Sequence, residues 1–253
     1  MITVTNLCKY YGNQVLFDNV CFTINPRERV GLVGRNGHGK TTLLRLLLNL
    51  EHSDGGKISI PNNYSIGYLE QHLNFIKPTV IEEVCLGLPP VMKDEVWQAE
   101  KILTGLGFSK NDMSRSPLEF SGGYQVRINL AKTLVAAPNL LMLDEPTNYL
   151  DIVSIRWLTK FLNNWQSEFI LITHDRNFMD SVVTHTMAIH RKKIRKIEGD
   201  TGKIYDQILK DEEIYEKTRI NDEKKKREVE IFISRFRAKA RLANLVQSRI
   251  KCL

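Results

Sequence analysis

Gly34-Arg35-Asn36-Gly37-His38-Gly39-Lys40-Thr41-Thr42 is the stretch whose reading decides the fold. It has the spacing G-x-x-x-x-G-K-T. Ahead of it stands a short apolar run, Arg29-Val30-Gly31-Leu32-Val33; behind it Leu43, Leu44, Leu46, Leu47, Leu48 and Leu50 are expected to form the buried face of a helix. Glycines between a strand and a helix let the backbone take positive φ and turn consecutive N–H groups onto phosphate oxygens. Lys40 is then placed to reach the β- and γ-phosphates of a nucleotide, and the Thr41 hydroxyl to ligate Mg²⁺. The stretch Gly34 to Thr42 is therefore read as an ATP site rather than as an ordinary glycine turn before a helix.

The composition bounds what surrounds this site. With 253 residues, 42% hydrophobic and 26% charged, the chain can form one large α/β domain or two small ones. No run of about 18 apolar residues occurs and the N-terminus does not read as a signal peptide, so no membrane insertion is expected and the expected compartment is the cytoplasm. Cys8, Cys21, Cys85 and Cys252 show neither C-x-x-C pairing nor metal-ligand spacing, which fits reduced thiols. The net charge of +7 is concentrated: residues 231–253 hold six basic side chains and no acidic one. Their partner should be acidic.

Along the chain, Met1 to Leu7 and Val15 to Ile24 read as strands divided by a turn at Gly12-Asn13, and Tyr11, next to that turn, is the residue expected to stack on adenine. Lys57 to Ile60 and Tyr64 to Leu69 read as further strands. The second hands over at Gln71, whose carbonyl is placed to meet Mg²⁺ and sense the γ-phosphate. Residues 72–116, interrupted by Pro78, Pro89 and Pro90, read as a small helical subdomain, with helices over Thr79 to Leu86 and Lys93 to Leu106. Ser121-Gly122-Gly123 then opens a helix over Val126 to Val135, with Ser121 expected as its N-cap and the glycines leaving room for an anion.

Leu140-Leu141-Met142-Leu143-Asp144-Glu145 is an apolar strand ending in two carboxylates, the form in which Asp144 holds Mg²⁺ and Glu145 polarises an attacking water. Asp151 is suited to cap a helix over Ile152 to Trp165. The next buried strand, Phe169 to Thr173, ends at His174, which a parallel sheet would bring to the edge where the phosphate loop lies. His174 is thus a candidate to bond the γ-phosphate and the water near Glu145. Thr184 to His190 and Lys192 to Ile197 close the sheet, with Arg191-Lys192-Lys193 expected as a solvated basic hairpin.

Taken together, these motifs resemble the nucleotide-binding domain of ATP-binding cassette (ABC) proteins, in the family's order, over residues 1–200. The resemblance implies a P-loop α/β domain with an antiparallel β subdomain and a helical subdomain, using ATP and Mg²⁺. It also implies that Ser121, Gly122 and Gly123, within Phe120-Ser121-Gly122-Gly123-Tyr124, contact ATP held by a second cassette. The family pattern has Leu where Phe120 stands, Gln where Tyr124 stands and a small residue in place of His38.

Glu145-Pro146-Thr147-Asn148-Tyr149-Leu150-Asp151 and Thr173 to Asp180 resemble the F subfamily (ABC-F), whose members carry two cassettes in one chain without membrane domains. Phe232 to Ala240, followed by Gln247 to Lys251, are similar to the helical linker between those cassettes, which reaches into the ribosome and touches tRNA and rRNA. The expected division is a cassette over 1–203 and a helical linker over 204–253, with Arg235, Arg237, Lys239, Arg241, Arg249 and Lys251 facing RNA. Phe232, Phe236, Ala240, Ala243, Gln247 and Ile250 follow helical steps, so residues 204–253 themselves read as one helix, about 75 Å long if straight, at ~1.5 Å per residue. The family would fold this region as a hairpin turning near 238–244 and continue into a second cassette, so the chain reads as an N-terminal half.

The leading functional reading is an ABC-F ATPase acting on ribosomes, partnered by a second cassette in the full-length chain or by another copy. An ATPase subunit of a membrane transporter and a nucleotide-gated RNA- or DNA-binding module are the alternatives.

Overall fold

The computed structural model describes residues 1–69 and 74–236, with side chains described as far as Ile231. The chain divides into two compact units, Met1–Ile204 and a second beginning at Tyr205. In order, the first unit contains β1 (Ile2–Tyr11), β2 (Gln14–Ile24), β3 (Arg29–Val33), α1 (Lys40–Leu47), β4 (Gly55–Ser59) and β5 (Ile66–Tyr68). There follow α2 (Val80–Cys85), α3 (Val96–Gly105), α4 (Lys110–Met113), α5 (Gly122–Val135), β6 (Leu140–Asp144), α6 (Ile152–Asn163), β7 (Glu168–Ile172), α7 (Arg176–Val182), β8 (His185–His190) and β9 (Lys193–Glu198). The last helix, α8 (Thr201–Phe236), starts in the first unit and runs into the second.

Two sheets organise the first unit. The larger has the order β5-β6-β7-β3-β8-β9, parallel except for the final pair, and the smaller is antiparallel, β2-β1-β4. In β6 and β7 the residues Leu140 to Leu143 and Phe169 to Ile172 are all buried, as expected of parallel strands covered on both faces. Their side chains alternate between the faces. Leu140, Met142, Ile170 and Ile172 join Leu43, Leu44 and Leu47 of α1 and Ile2, Leu7 and Phe17 of the antiparallel sheet in one core. On β3, Gly31 is dictated by close packing: a Cβ there would come within 2.7 Å of Met179 Sδ on α7.

The helical stretch is tied down by buried polar contacts. Glu83 of α2 is wholly buried, accepts from the backbone N–H groups of Ile76 and Lys77 at 2.9 Å and receives Lys132 of α5 at 2.7 Å. Gly105 at the end of α3 lets Trp157 of α6 lie flat against the backbone, where a Cβ would stand 2.0 Å from Cε2.

Several local expectations are corrected. Leu50 is exposed, because α1 ends at Leu47 and Asn49 turns the chain with φ 55°. The helix expected from Lys93 begins only at Val96, after a 3-10 turn over Pro90–Met92. Ser121 stands at the N-cap position of α5, but its hydroxyl makes no capping bond. The β8–β9 hairpin is not simply solvated: Asp18 N donates to Lys192 O at 3.0 Å, and Lys193 Nζ donates to Asp18 O at 2.6 Å. Over residues 213–228 of the second unit every residue of α8 is exposed, with Arg219 pairing to Glu223 and Glu216 along its own surface. The expected hairpin turn near 238–244 lies outside the described residues.

Candidate active site

The site is assembled by topology. Because β3, β6 and β7 are parallel neighbours, the loop after β3, the carboxylates ending β6 and the segment after β7 emerge at one edge of the sheet. In the loop after β3, Gly37 takes φ 77° and Gly39 φ 95°, conformations that bulkier residues adopt only with strain. Gly39 is further boxed in, since a Cβ would stand 2.8 Å from Leu16 Cδ2 and 2.9 Å from Phe17. The loop thus rests directly on β2. Gly34 lies against the Ile189 carbonyl, 3.3 Å from where its own Cβ would be, and His38 N donates to Arg35 O at 3.2 Å.

Lys40 opens α1 and folds back over the loop, donating to Gly34 O at 2.7 Å and reaching Arg35 O and Asn36 Oδ1 at 3.4 Å. Its ammonium is held at the loop's centre by acceptors that phosphate oxygens can replace. Thr41 Oγ1 donates to Asp144 Oδ2 at 3.2 Å, which links the first turn of α1 to the end of β6, and Thr42 follows on α1.

Glu145 carries backbone strain. It has φ 52° while its N–H bonds Ile172 O at 2.8 Å, so the chain leaves the sheet by a left-handed turn that a glutamate adopts only under constraint. Its Oε2 accepts from His174 N at 3.4 Å, and His174 Nε2 is 3.6 Å from Oε1. Oε1 is buried without a hydrogen-bond donor. A buried acceptor lacking a donor is uncommon and fits a site shaped to take a water. Thr41 and Asp144 supply oxygen ligands of the hard type that Mg²⁺ takes. The His174 imidazole is 72% exposed, free to turn toward a ligand.

Burial pushes the carboxyls of both Asp144 and Glu145 up from the ordinary carboxylate value. For Asp144 the Thr41 bond and the charges of Lys40 and His174 oppose this; for Glu145 the neighbouring Asp144 charge adds to it. Two carboxyls kept from water beside a lysine have their charged forms completed by a cation and lose stability without one.

Tyr11, 47% exposed, is held at the end of β1 by a hydrogen bond from its hydroxyl to Glu51, with Lys9 Nζ 5.1 Å from its ring centre. The Tyr11 bond, ahead of any other cause, holds the Glu51 carboxyl below its ordinary value. Gln71 lies outside the described residues. Ser121, Gly122 and Gly123 open α5 and touch none of Lys40, Thr41, Asp144 or Glu145 by any hydrogen bond among the described residues. Arg235 falls within α8 with its side chain outside the description, and Arg237, Lys239, Arg241, Arg249 and Lys251 lie outside the described residues.

Sequence reasoning missed Arg127. This buried residue of α5 donates to Tyr149 O at 2.7 Å, Leu106 O at 3.1 Å and Asp151 Oδ2 at 3.1 Å, and its guanidinium lies over the Tyr124 ring at 4.7 Å. One side chain joins the Ser-Gly-Gly helix, the helical stretch and the loop after Glu145. Tyr149 in turn packs on the Gly123 backbone, 3.5 Å from where a Cβ would stand. The available signal was a charged residue beside Ile128, Leu130 and Ala131 on the apolar face of α5.

A family model described as ABC transporter matches residues 17–148, just over half of the chain, and a second so described matches 187–253. The "Probable ATP-binding protein YheS" of Escherichia coli K12 is 34% identical over 287 aligned residues, covering 100% of this chain and 44% of that protein. Rat "ATP-binding cassette sub-family F member 3" is 30% identical over 294 residues, covering 100% of this chain and 40% of the relative. The chain thus spans less than half the length of these curated relatives. Among solved structures, the bacterial ABC transporter cassette MJ0796, determined as a dimer, superposes with a TM-score of 0.65 at 23% identity over 78% of this chain and 98% of its own. The same cassette has been solved bound to ADP and Pi, with a TM-score of 0.64. No helix among the described residues is long and apolar enough to cross a membrane. The matched family, the cassette architecture and the phosphate loop facing paired carboxylates lead to one conclusion: the chain belongs to the ABC transporter family, as one of its ATPase domains.

Proposed function

We propose that this chain is the ATP-hydrolysing cassette of a cytoplasmic ABC-F protein that acts on ribosomes in translation. For the chemistry, the carrying observation is the gathering of Lys40, Thr41, Asp144, Glu145 and His174 at one sheet edge. The loop N–H groups and Lys40 bind the phosphates, and Tyr11 receives the adenine. Thr41, Asp144 and Gln71, read from its place at a strand end, would hold Mg²⁺, which when bound neutralises phosphate charge and orients the γ-phosphate. Glu145 takes up a proton from the attacking water; its strained backbone and its contact with His174 aim the carboxylate. His174 donates to the γ-phosphate oxygens.

Ser121, Gly122 and Gly123 serve the nucleotide of a second cassette, in the same full-length chain or in another copy. Closure of the two cassettes then moves the linker that begins at α8. The similarity to sub-family F members extends through that linker to the end of this chain, which supports the ribosome reading over the transporter one. The basic residues Arg235, Arg237, Lys239, Arg241, Arg249 and Lys251 are the tRNA- and rRNA-facing set.

The test is ATP-dependent pelleting of the full-length protein with ribosomes. Glu145→Gln should remain bound, because the closed state forms and is not resolved, whereas Lys40→Ala should not bind; equal occupancy of the two would exclude this cycle. Neutralising Arg235, Arg237, Lys239 and Arg241 should flatten the salt dependence of binding by roughly 3 in log–log slope, at about 0.7 to 0.9 per phosphate contact.

A further inference from the structure

All three tryptophans of the chain fall on one stretch of surface: Trp97 on α3, Trp157 on α6 and Trp165 just past the end of α6. Positions 157, 161 and 165 follow four-residue steps and set Trp157, Phe161 and Trp165 in a row. Trp157 stacks on Phe161 with ring centres 5.0 Å apart and planes at 26°, and Phe161 meets Trp165 at 5.7 Å. The row is half-buried and lines a cavity of about 510 Å³ together with Lys101 of α3 and Lys160 of α6. Trp97, 57% exposed, lies one turn before Lys101 on the same face of α3, so the apolar surface runs on beyond the cavity.

The cavity is remote from the phosphate loop. Its lining takes in Ala137, ahead of β6, and Asn164 to Ser167, ahead of β7, which is the edge of the parallel sheet opposite the one where Asp144, Glu145 and His174 emerge. Neither the Lys101 nor the Lys160 ammonium has a hydrogen-bond or ion-pair partner among the described residues, and no carboxylate among them lines the cavity. Trp165 Nε1 is buried without an acceptor. A buried donor of this kind is uncommon and fits a surface that a partner completes.

We propose that this surface docks an acidic segment of a partner protein, with one apolar side chain seated against the aromatic row and neighbouring carboxylates on Lys101 and Lys160. Tryptophan is among the residues that dominate protein–protein contacts, and here every tryptophan of the chain is on one side of it. Two unpaired cations with no carboxylate beside them select negative charge. The rings stack on one another, so the row offers an apolar wall rather than free faces for bases, which favours a protein segment over a nucleic acid strand. Its continuation to Trp97 is more than a small ligand would cover. The surface shares no residue with the ATP site or with the basic set assigned to RNA, so it stands or falls independently of the proposed function.

The experiment uses the whole chain with its phosphate loop filled by a non-hydrolysable Mg·ATP analogue. An end-blocked peptide of glutamates and alanines around one central leucine is titrated in, and the fluorescence of the three tryptophans reports occupancy. Lys101→Gln/Lys160→Gln removes two exposed, unpaired charges, so it should melt with the wild type while affinity for the peptide falls at least about fivefold, as expected for two exposed ion pairs. Replacing the leucine of the peptide by alanine tests the apolar seat without touching the fold and should weaken binding at least about tenfold. Absence of binding, or affinity that survives either change, overturns the site. A single-stranded RNA that displaces the peptide and itself loses affinity in the lysine variant overturns the protein partner in favour of a nucleic acid strand. Self-association of the chain that the lysine variant abolishes overturns it in favour of a second copy.

Discussion

The two glycine-rich elements of this chain, the loop at Gly34–Thr42 and the start of α5 at Ser121–Gly123, look alike in sequence and differ in what requires their glycines. In the first, Gly39 is demanded by the chain's own fold: its φ of 95° disfavours any side chain, and a Cβ would press into Leu16 and Phe17. In the second, Gly122 has no positive φ and open space where its Cβ would be, and Gly123 meets Tyr149 only at ordinary contact distance. Glycine in the first turn of a helix weakens it relative to alanine. Nothing among the described residues asks for Gly122; under the proposed function, its requirement lies in the second cassette that approaches it. The space around the two glycines thus separates one that the fold requires from one whose role rests on the proposed second cassette.

The comparison can be tested first where the effect is largest. Glu145→Gln, which preserves shape but removes the base, should lower ATP turnover about 10²- to 10⁴-fold with Mg·ATP binding retained. Phosphate release together with nucleotide affinity measures both, and a variant within threefold of wild-type turnover would take Glu145 out of this role.

Gly39→Ala should destabilise the chain by about 2–4 kcal/mol, combining positive-φ strain with overpacking against β2. Urea denaturation reads it, and a change below 1 kcal/mol would mean the loop is not fixed by the fold. Arg127→Met should cost about 2–3 kcal/mol, since the carbonyls of Leu106 and Tyr149 lose their buried donor. A near-neutral result would show that the loop after Glu145 is held without this clamp.

The carboxylate edge also makes a prediction in pH. The carboxyls of Asp144 and Glu145 are raised in the folded state, so the fold is favoured below the ordinary carboxylate value and loses that contribution as pH rises through the folded-state value. In the absence of nucleotide and Mg²⁺, Asp144→Asn should therefore melt above wild type at neutral pH, and the difference should disappear near pH 3, below the ordinary Asp value of about 3.9. A melting difference independent of pH would reject burial as its cause.

The smallest effect separates the two glycine elements most sharply. Gly122→Ala should leave the isolated chain unchanged or stabilise it by up to about 1 kcal/mol, while abolishing the rise of ATP turnover with protein concentration that the proposed pairing of two cassettes predicts. If Gly122→Ala destabilises the chain as Gly39→Ala does, the contrast fails.

The sequence alone determined the elements whose identity rests on local pattern and backbone chemistry. The glycine spacing at 34–42, the apolar runs ending in Asp144-Glu145 and at His174, and the capping role of Asp151 are local statements, and Asp151 does accept from Ser154 N at 2.8 Å. Only the tertiary structure decided the rest. That Thr41 meets Asp144, 103 positions away, follows from strand order, which no local pattern encodes. Leu50 was misread because helical periodicity does not show where Asn49 ends the turn, and Ser121 because a favourable capping residue need not form the cap bond. Arg127 stayed hidden because burying a guanidinium depends on carbonyl and carboxylate partners from two distant segments, Leu106 and the Tyr149–Asp151 loop, brought together only when helices and sheet are packed. The strain at Glu145 and in the Arg191-Lys192 turn was also out of reach. Residue type sets what a positive φ costs, but the neighbouring strands decide whether the chain must adopt it.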